Sequence, residues 1–462
     1  MKSISPHRGN NFPCTVKGTI MYIQKLRLEN FRKFEDVMLH FHPQFNILIG
    51  ENASGKTAIC DAIKKLLHNV VLRLGGAELV SDKFSGDIRY SFSDGRSIEY
   101  HCPSQLTVNI EDFFGNPVTW TLRKELTTDS YEYVPNIDKE IRNIKIELQN
   151  KLVQKDGYKE TIFPLISYYN IPRVQKQRKN KFKNILESRF NAYKTSLVGN
   201  CDPRPFFNWL YRQFLIDIQT QQKNPLLDAV RQAIQKAVPV YRNIGYNPLV
   251  DEVMVLIEDE TFSFNSLSDG YRDMIGVVAD IAHRMARLNP QLDDQVLTET
   301  PGVVVIDEID LHLHPNWQRT IVENLRSIFP KVQFIATTHS PFIIQSARDG
   351  EVIDLNGVGS ILQYEGEYQN VAFPGTAQRY DNKGVEEIAE EIQKVDMPHQ
   401  SQRRKEMYKA AQEYYKILDE ISNASEEEKR KKEEKLSELT KPFMDNAAYV
   451  AFLDRKLLLL NK

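Results

Sequence analysis

Gly50 and Gly55 bracket four residues and are followed at once by Lys56-Thr57, and this spacing constrains the fold more than any other stretch. The preceding Phe45-Asn46-Ile47-Leu48-Ile49 contains a short, apolar, β-prone run, as expected of a central strand, and the spacing after the loop predicts an amphipathic helix from about Lys56 to Leu67. In a strand–loop–helix unit, the pattern G-x-x-x-x-G-K-[ST] points successive backbone N–H groups into one concavity that binds phosphate oxygens. The helix that follows adds the positive end of its dipole to the same place. Gly50, Asn52, Ser54, Gly55, Lys56 and Thr57 are therefore candidate nucleotide contacts, with Lys56 reaching the β- and γ-phosphates of ATP and the Thr57 hydroxyl binding Mg²⁺. The alternative is a Gly-containing turn with a chance Gly-Lys-Thr, which the flanking strand and helix argue against.

Three further segments follow in order. Leu267-Ser268-Asp269-Gly270-Tyr271-Arg272 comes after the strand-like run Val253 to Ile257. Ser268 suits a helix N-cap, and Met274, Val277, Val278, Ile281 and Met285 then recur on one helical face. Taken alone this is an ordinary turn before a helix. Next, Gly302 to Ile306 reads as a fully buried parallel strand that ends in Asp307-Glu308. Desolvating two carboxylates costs several kcal/mol each unless a cation or proton meets them, so Asp307 is placed to hold the Mg²⁺ shell and Glu308 to take a proton from the attacking water. Asp310, His312 and His314 lack the helical His spacing, with Glu between, of a zinc site, and are read as nucleotide-site or dimer-contact residues. Last, Val332 to Thr337 is a strand with His339 just past its end. Open α/β sheets bind ligands outside the carboxyl ends of their strands, where Gly50, Asp307 and His339 all fall.

A chain of 462 residues accommodates two or three domains, and its formal net charge of −2 means that any nucleic-acid contact must come from a local patch. The cluster Arg173, Lys176, Arg178, Lys179, Lys181 and Lys183 is the candidate patch for DNA or another nucleic acid, with a solvated helix face as the alternative. Cys14, Cys60, Cys102 and Cys201 are widely separated, which suggests a reducing, cytoplasmic setting and neither a disulfide framework nor a zinc site. No apolar run is long enough for a membrane span, so no membrane partner is expected. The expected organisation is a disordered extension over 1–20; a lobe over 21–170 holding the phosphate loop, a β-hairpin and an antiparallel sheet; an inserted helical region over 171–250; a second lobe over 251–375; and a charge-rich helical tail over 376–462. Arg32, in the hairpin turn, is read either as approaching the nucleotide or as an exposed arginine.

The ordered motifs resemble an ATP-binding-cassette-type ATPase of the SMC/RecF group over about residues 21–355. Gly50 to Thr57 matches the Walker A loop, Leu267 to Tyr271 the signature motif, Val303 to Glu308 the Walker B strand and His339 the switch histidine; Leu28-Glu29-Asn30-Phe31-Arg32 resembles a RecF-like opening. The resemblance implies an α/β fold, an ABC-type P-loop ATPase head with a mixed β-sheet, an antiparallel β subdomain, an inserted helical subdomain and a C-terminal helical tail. It also implies a head-to-tail dimer or higher oligomer in which Lys56, Thr57, Asp307, Glu308 and His339 of one subunit hold ATP while Ser268 and Gly270 of a second close over it.

A narrower resemblance is to bacterial anti-phage ATPases of the Septu PtuA type, also found beside some retrons. It is carried by Ile306 to Gln318, Thr337-Thr338-His339-Ser340-Pro341 and Asn446 to Leu453, and it implies an HNH nuclease partner of the PtuB type. Two departures stand out: Asp269 and Tyr271 replace the family's usual glycine and glutamine, and no glutamine is assigned to the Mg²⁺-sensing loop, with Gln105, Gln175 and Gln177 as candidates. The rival readings are a DNA-repair or chromosome-organising ATPase, a transporter ATPase, a self-contained nuclease and a nucleotide-locked scaffold with little turnover. Residues 58–266 lack the long heptad repeat of the first. The RecF-like opening disfavours the second, and Glu386, Glu387, Glu390 and Glu391 read as a helix face and not as a nuclease centre.

Overall fold

The structure, a computed structural model, describes residues 21–74, 87–93, 97–111, 117–126, 132–133, 146, 161–174, 188–221, 224–356, 371–372, 383–391, 402–421, 434–435, 437 and 441–443. The extension over 1–20 and the 446–453 phrase lie outside these residues.

In chain order, β1 (Tyr22–Phe31) and β2 (Phe34–His40) form the expected hairpin, followed by β3 (Phe45–Ile49) and α1 (Lys56–Arg73), which runs beyond its predicted end. Strands β4 (Tyr90–Ser93), β5 (Ser97–Tyr100), β6 (Ser104–Glu111), β7 (Pro117–Lys124), β8 (Glu132–Tyr133), β9 (Leu165–Val174) and β10 (Gly199–Cys201) come next. Two helices, α2 (Arg204–Thr220) and α3 (Pro225–Ala237), precede the three-stranded meander β11 (Tyr241–Asn247), β12 (Glu252–Ile257) and β13 (Glu260–Ser263). Helix α4 (Asp269–Leu288) and the short α5 (Val296–Glu299) lead to β14 (Gly302–Ile306). The remainder of this unit is α6 (Pro315–Gln318), α7 (Ile321–Ile328), β15 (Val332–Thr337), α8 (Pro341–Gln345), β16 (Val352–Asp354) and β17 (Val371–Ala372).

Two six-stranded sheets form the centre of the unit. One has the order β10-β9-β14-β15-β3-β16, and all of its described pairings are parallel. Strands β3, β14 and β15 are buried along their whole length, which is why they read as continuous apolar runs. The other has the order β17-β2-β1-β6-β7-β8, antiparallel except for β17 against β2. Alternating burial along β6 marks it as a strand with only one face in the core. The antiparallel pieces predicted beside the nucleotide strand therefore join β1 and β2 in a separate sheet, and β4–β5 stands as its own ribbon. Gln333, buried in β15, ties the two large sheets together: its Oε1 accepts from the Ile23 N–H at 2.8 Å, and its Nε2 donates to the carbonyls of Ile23 and His42, both at 2.9 Å.

Helix α4 is buried on nearly every side, not only on the predicted apolar face. One polar cluster on it is bonded inside the core: Arg284 Nε donates to Asp280 Oδ2 at 2.7 Å, and the Tyr169 hydroxyl donates to the same oxygen at 2.8 Å. Helices α2 and α3, expected as an inserted region, pack against α4 and β11.

Residues 384–462 make a second compact unit. It contains α9 (Val385–Glu391) and α10 (Gln402–Ile421), with Ile388, Tyr414 and Ile417 buried. Among the described residues no helix is long and apolar enough to cross a membrane.

Candidate nucleotide site

The phosphate loop needs both of its glycines. Gly50 lies at φ +147° and Gly55 at φ +100°, where an L side chain is strained. A Cβ on Gly50 would also stand 2.6 Å from Ser54 Oγ, and one on Gly55 would overlap the Phe34 ring. Lys56 is buried, and its Nζ donates to the carbonyls of Gly50 at 2.7 Å and Glu51 at 3.0 Å. Thr57 and Asn52 are exposed, whereas Ser54 is buried. Burial lowers the Lys56 pKa, and the fields of Asp307, Glu308 and Asp310 oppose that shift.

The carboxylates are set by β15. Thr337 Oγ1 donates to Asp307 Oδ1 at 2.6 Å, and Thr338 Oγ1 donates to Asp310 Oδ1 at 2.6 Å. Glu308 takes the left-handed conformation, φ +53°, immediately after the buried strand. Such a backbone for a non-glycine residue is uncommon and costs about 1 kcal/mol or more. The His339 N–H donates to Asp310 Oδ1 at 3.3 Å, and burial followed by the charge of Lys56 lowers the pKa of its ring. Lys56, Asp307, Glu308, Asp310 and His339 all follow the carboxyl ends of β3, β14 and β15, which are neighbours in the parallel sheet.

Ser268 and Gly270 sit elsewhere on the chain's contacts. Ser268 occupies the N-cap position of α4 and is exposed, but its side chain makes no capping hydrogen bond, contrary to the expectation for a serine there. Gly270 packs against the carbonyl of His312, which a Cβ would meet at 2.6 Å, and Tyr271 stacks edge-on to Trp317 at 4.7 Å. His312 Nδ1 lies 2.8 Å from Asp273 Oδ2, so the histidine is bound to the signature helix of its own chain. Among the described residues no group of three or more His, Cys, Asp or Glu side chains forms a metal-binding cluster.

Arg32 neither reaches the loop nor stands free. It pairs with Asp61 at 2.9 Å and Asp87 at 3.2 Å, and Lys65 joins Asp87 at 3.1 Å. Its neighbour Lys33 turns the other way, and its Nζ donates to the Ala53 carbonyl inside the phosphate loop at 3.3 Å. Sequence reasoning missed Lys33, Thr337 and Asp273. The only available signals were a second basic residue in the turn, a threonine ending an apolar strand, and a carboxylate beside the apolar face of a helix. Gln105 lies in β6, paired with Glu29 and Arg123 in the antiparallel sheet. Arg173 falls in β9; Lys176, Arg178, Lys179, Lys181 and Lys183, with Gln175 and Gln177, lie outside the described residues.

The family described as "AAA domain, putative AbiEii toxin, Type IV TA system" matches residues 45–345, well over half of the chain. The chain belongs to this AAA domain family. The matched span covers the phosphate loop, α4 and the ends of β14 and β15, so the AAA domain contains every residue placed above at the nucleotide edge. The chain is 26% identical to "Retron Ec83 probable ATPase" of Escherichia coli, over 71% of this chain and 70% of that protein. It is 23% identical to "Septu protein PtuA" of Bacillus thuringiensis, over 87% of this chain and 90% of that one. Among solved structures it is similar to an Smc head bound to the C-winged helix domain of ScpA, with 18% identity and a TM-score of 0.44 over 72% of this chain and 93% of the other. AAA membership and the likeness to the retron and Septu proteins make the protein an ATPase related to them.

Proposed function

We propose that the protein binds and hydrolyses ATP with Mg²⁺ in a head-to-tail dimer, and that the nucleotide state of this dimer controls a partner nuclease in anti-phage defence. The observation that carries the reading is that β3, β15 and β14 lie side by side and parallel, so that the phosphate loop with Lys56, His339 and Asp307-Glu308 all follow the carboxyl ends of neighbouring strands. In this reading the backbone N–H groups of the loop and Lys56 neutralise the phosphates. A hydroxyl and a carboxylate are hard oxygen donors, which suits Mg²⁺, so Thr57 and Asp307 would hold it. When bound, the ion supplies charge neutralisation at the phosphate oxygens. Glu308 accepts the proton of the attacking water, and the neutral His339 ring orients toward the γ-phosphate. Ser268 and Gly270 serve the nucleotide of the opposing subunit, which fits an exposed Ser268 that does not cap its own helix.

An HNH nuclease partner is proposed from the likeness to Septu PtuA along most of both chains. DNA or a retron RNA/DNA is the proposed ligand of the Arg173 to Lys183 cluster. The test is light scattering and ATP turnover on the same sample, wild type against Glu308→Gln, with and without Mg²⁺ and DNA. ATP-dependent dimers with turnover reduced at least about a hundredfold in the variant are expected for loss of a general base. Normal hydrolysis by Glu308→Gln would remove Glu308 from that role, and a nucleotide-independent oligomer without turnover would favour a locked scaffold.

A further inference from the structure

The segment after β14 is anchored on two sides. Toward the nucleotide edge, Asp310 accepts from Thr338, and Gln318 bridges the loop to the turn after β15: its Oε1 accepts from Ser340 Oγ at 2.6 Å while its Nε2 donates to the Leu313 carbonyl at 2.8 Å. Toward the signature helix there are three contacts. His312, bent to φ +62°, meets Asp273, its carbonyl faces Gly270, and Trp317 receives the Tyr271 ring. Asp273 is only 5% exposed, and His312 is its hydrogen-bonded partner across the chain. A buried carboxylate that loses its partner is left poorly compensated, so this pair strongly resists separation.

We propose that Asp273 and His312 are positioning residues that set the signature loop of one subunit for use on the nucleotide of the next. The proposal rests on the sandwich reading above. Ser268 is the N-cap of α4 and Gly270 lies in its first turn, five and three residues before Asp273. Fixing Asp273 to His312 therefore fixes the exposed Ser268 hydroxyl relative to the Walker B edge of the same chain. In a head-to-tail dimer those two features face different nucleotides. The pair then acts at the partner's ATP, and its loss is felt in trans.

Mixed dimers separate the two sites. A Lys56→Ala chain retains its signature loop but loses its phosphate lysine, and a Ser268→Arg chain retains its nucleotide residues but has a blocked signature loop. Each alone is expected to be inactive, and their mixture to recover ATP turnover. Adding His312→Ala to the Lys56→Ala chain should lower the turnover of the mixture tenfold or more, while adding it to the Ser268→Arg chain should lower it less than threefold. Asp273→Asn should give the same asymmetry, and His312→Gln, which retains a donor, should restore most of the loss. Equal losses on both chains would mean a merely structural pair, and the reverse asymmetry would mean that His312 serves its own nucleotide; either overturns the proposal, as does no loss at all. A parental mixture that recovers no turnover would overturn the sandwich reading, and the positioning role with it.

Discussion

Thr337 Oγ1 stands between the two carboxylate residues that end β14, donating to Asp307 Oδ1 at 2.6 Å and accepting from the Glu308 N–H at 2.7 Å. One buried hydroxyl thus orients the proposed metal ligand and pins the backbone of the proposed base. Residues that orient metal ligands from behind typically control affinity or activity by about 10- to 100-fold when removed. Thr337→Val keeps the shape of the side chain and removes both bonds. Its ATP turnover is expected to fall by about that factor and its Mg²⁺ requirement to rise, with Thr337→Ser close to wild type. A Mg²⁺ titration of steady-state turnover checks this, and an unchanged curve for Thr337→Val would show that Asp307 needs no such support.

Lys33 and Arg32 occupy adjacent positions in one turn but act on different partners. Arg32, at φ +51°, is directed to Asp61 and Asp87, while Lys33 reaches the Ala53 carbonyl in the phosphate loop. Burial lowers the Lys33 pKa, and its charge is felt by Lys56. Lys33 is exposed and its contact is long, so the interaction contributes up to about 1 kcal/mol. Lys33→Ala is therefore expected to weaken ATP binding up to about fivefold, while Arg32→Ala lowers the melting temperature and leaves ATP affinity within about twofold. Isothermal titration with ATP and a thermal melt on both variants distinguish the two roles, and the reverse pattern would reassign them.

The strands of the parallel sheet were legible because Ile47 to Ile49 and Val303 to Ile306 have no polar face with which to meet solvent. The phosphate loop was legible because only glycine tolerates the backbone at positions 50 and 55. Pairings across long separations were not. Gln333 meets Ile23 across 310 residues and His312 meets Asp273 across 39, and no local spacing encodes either. The second face of α4 was not legible for a related reason: Asp280 and Arg284, off the apolar stripe, pair with each other inside the core. The alternation in β6 revealed its buried face but not the sheet it joins, because strand partners are chosen by tertiary packing.

Gly270→Ala sets two effects against each other. Alanine favours a helix over glycine by about 1 kcal/mol, but the new Cβ would lie 2.6 Å from the backbone carbonyl of His312, which cannot rotate away. Overpacking of this kind costs about 1–3 kcal/mol, so the clash wins and the start of α4 must shift. ATP binding to the Walker A side is expected within about twofold of wild type, with turnover down about tenfold. Turnover at or above wild type would show that the loop accommodates the methyl group.

His283 carries the pH dependence of the helical core. It is fully buried between Phe206 and Trp209, with ring centroids 5.8 and 5.5 Å away, and its Nδ1 is 3.9 Å from Asp280 Oδ1, too far for a hydrogen bond. Burial lowers its pKa to about 4, only partly opposed by Asp280 and reinforced by Arg287 and Arg284. The unfolded chain takes up a proton near pH 6.5 that the folded chain refuses. Stability is therefore flat above that pH and declines as pH falls toward 4, by about 2 kcal/mol between pH 7.5 and 5. Burial alone would raise the Asp280 carboxyl, but Arg284 holds it down at about 2, so its contribution is lost only at more acidic pH and does not overlap this window. Urea unfolding followed by tryptophan fluorescence at pH 7.5 and 5 should show the decline in wild type and a decline smaller by about 2 kcal/mol in His283→Leu, which fills the same aromatic slot without titrating, the remainder coming from His40, His42 and His339, whose pKa values burial also lowers. An equal decline in both proteins would place the titrating group elsewhere.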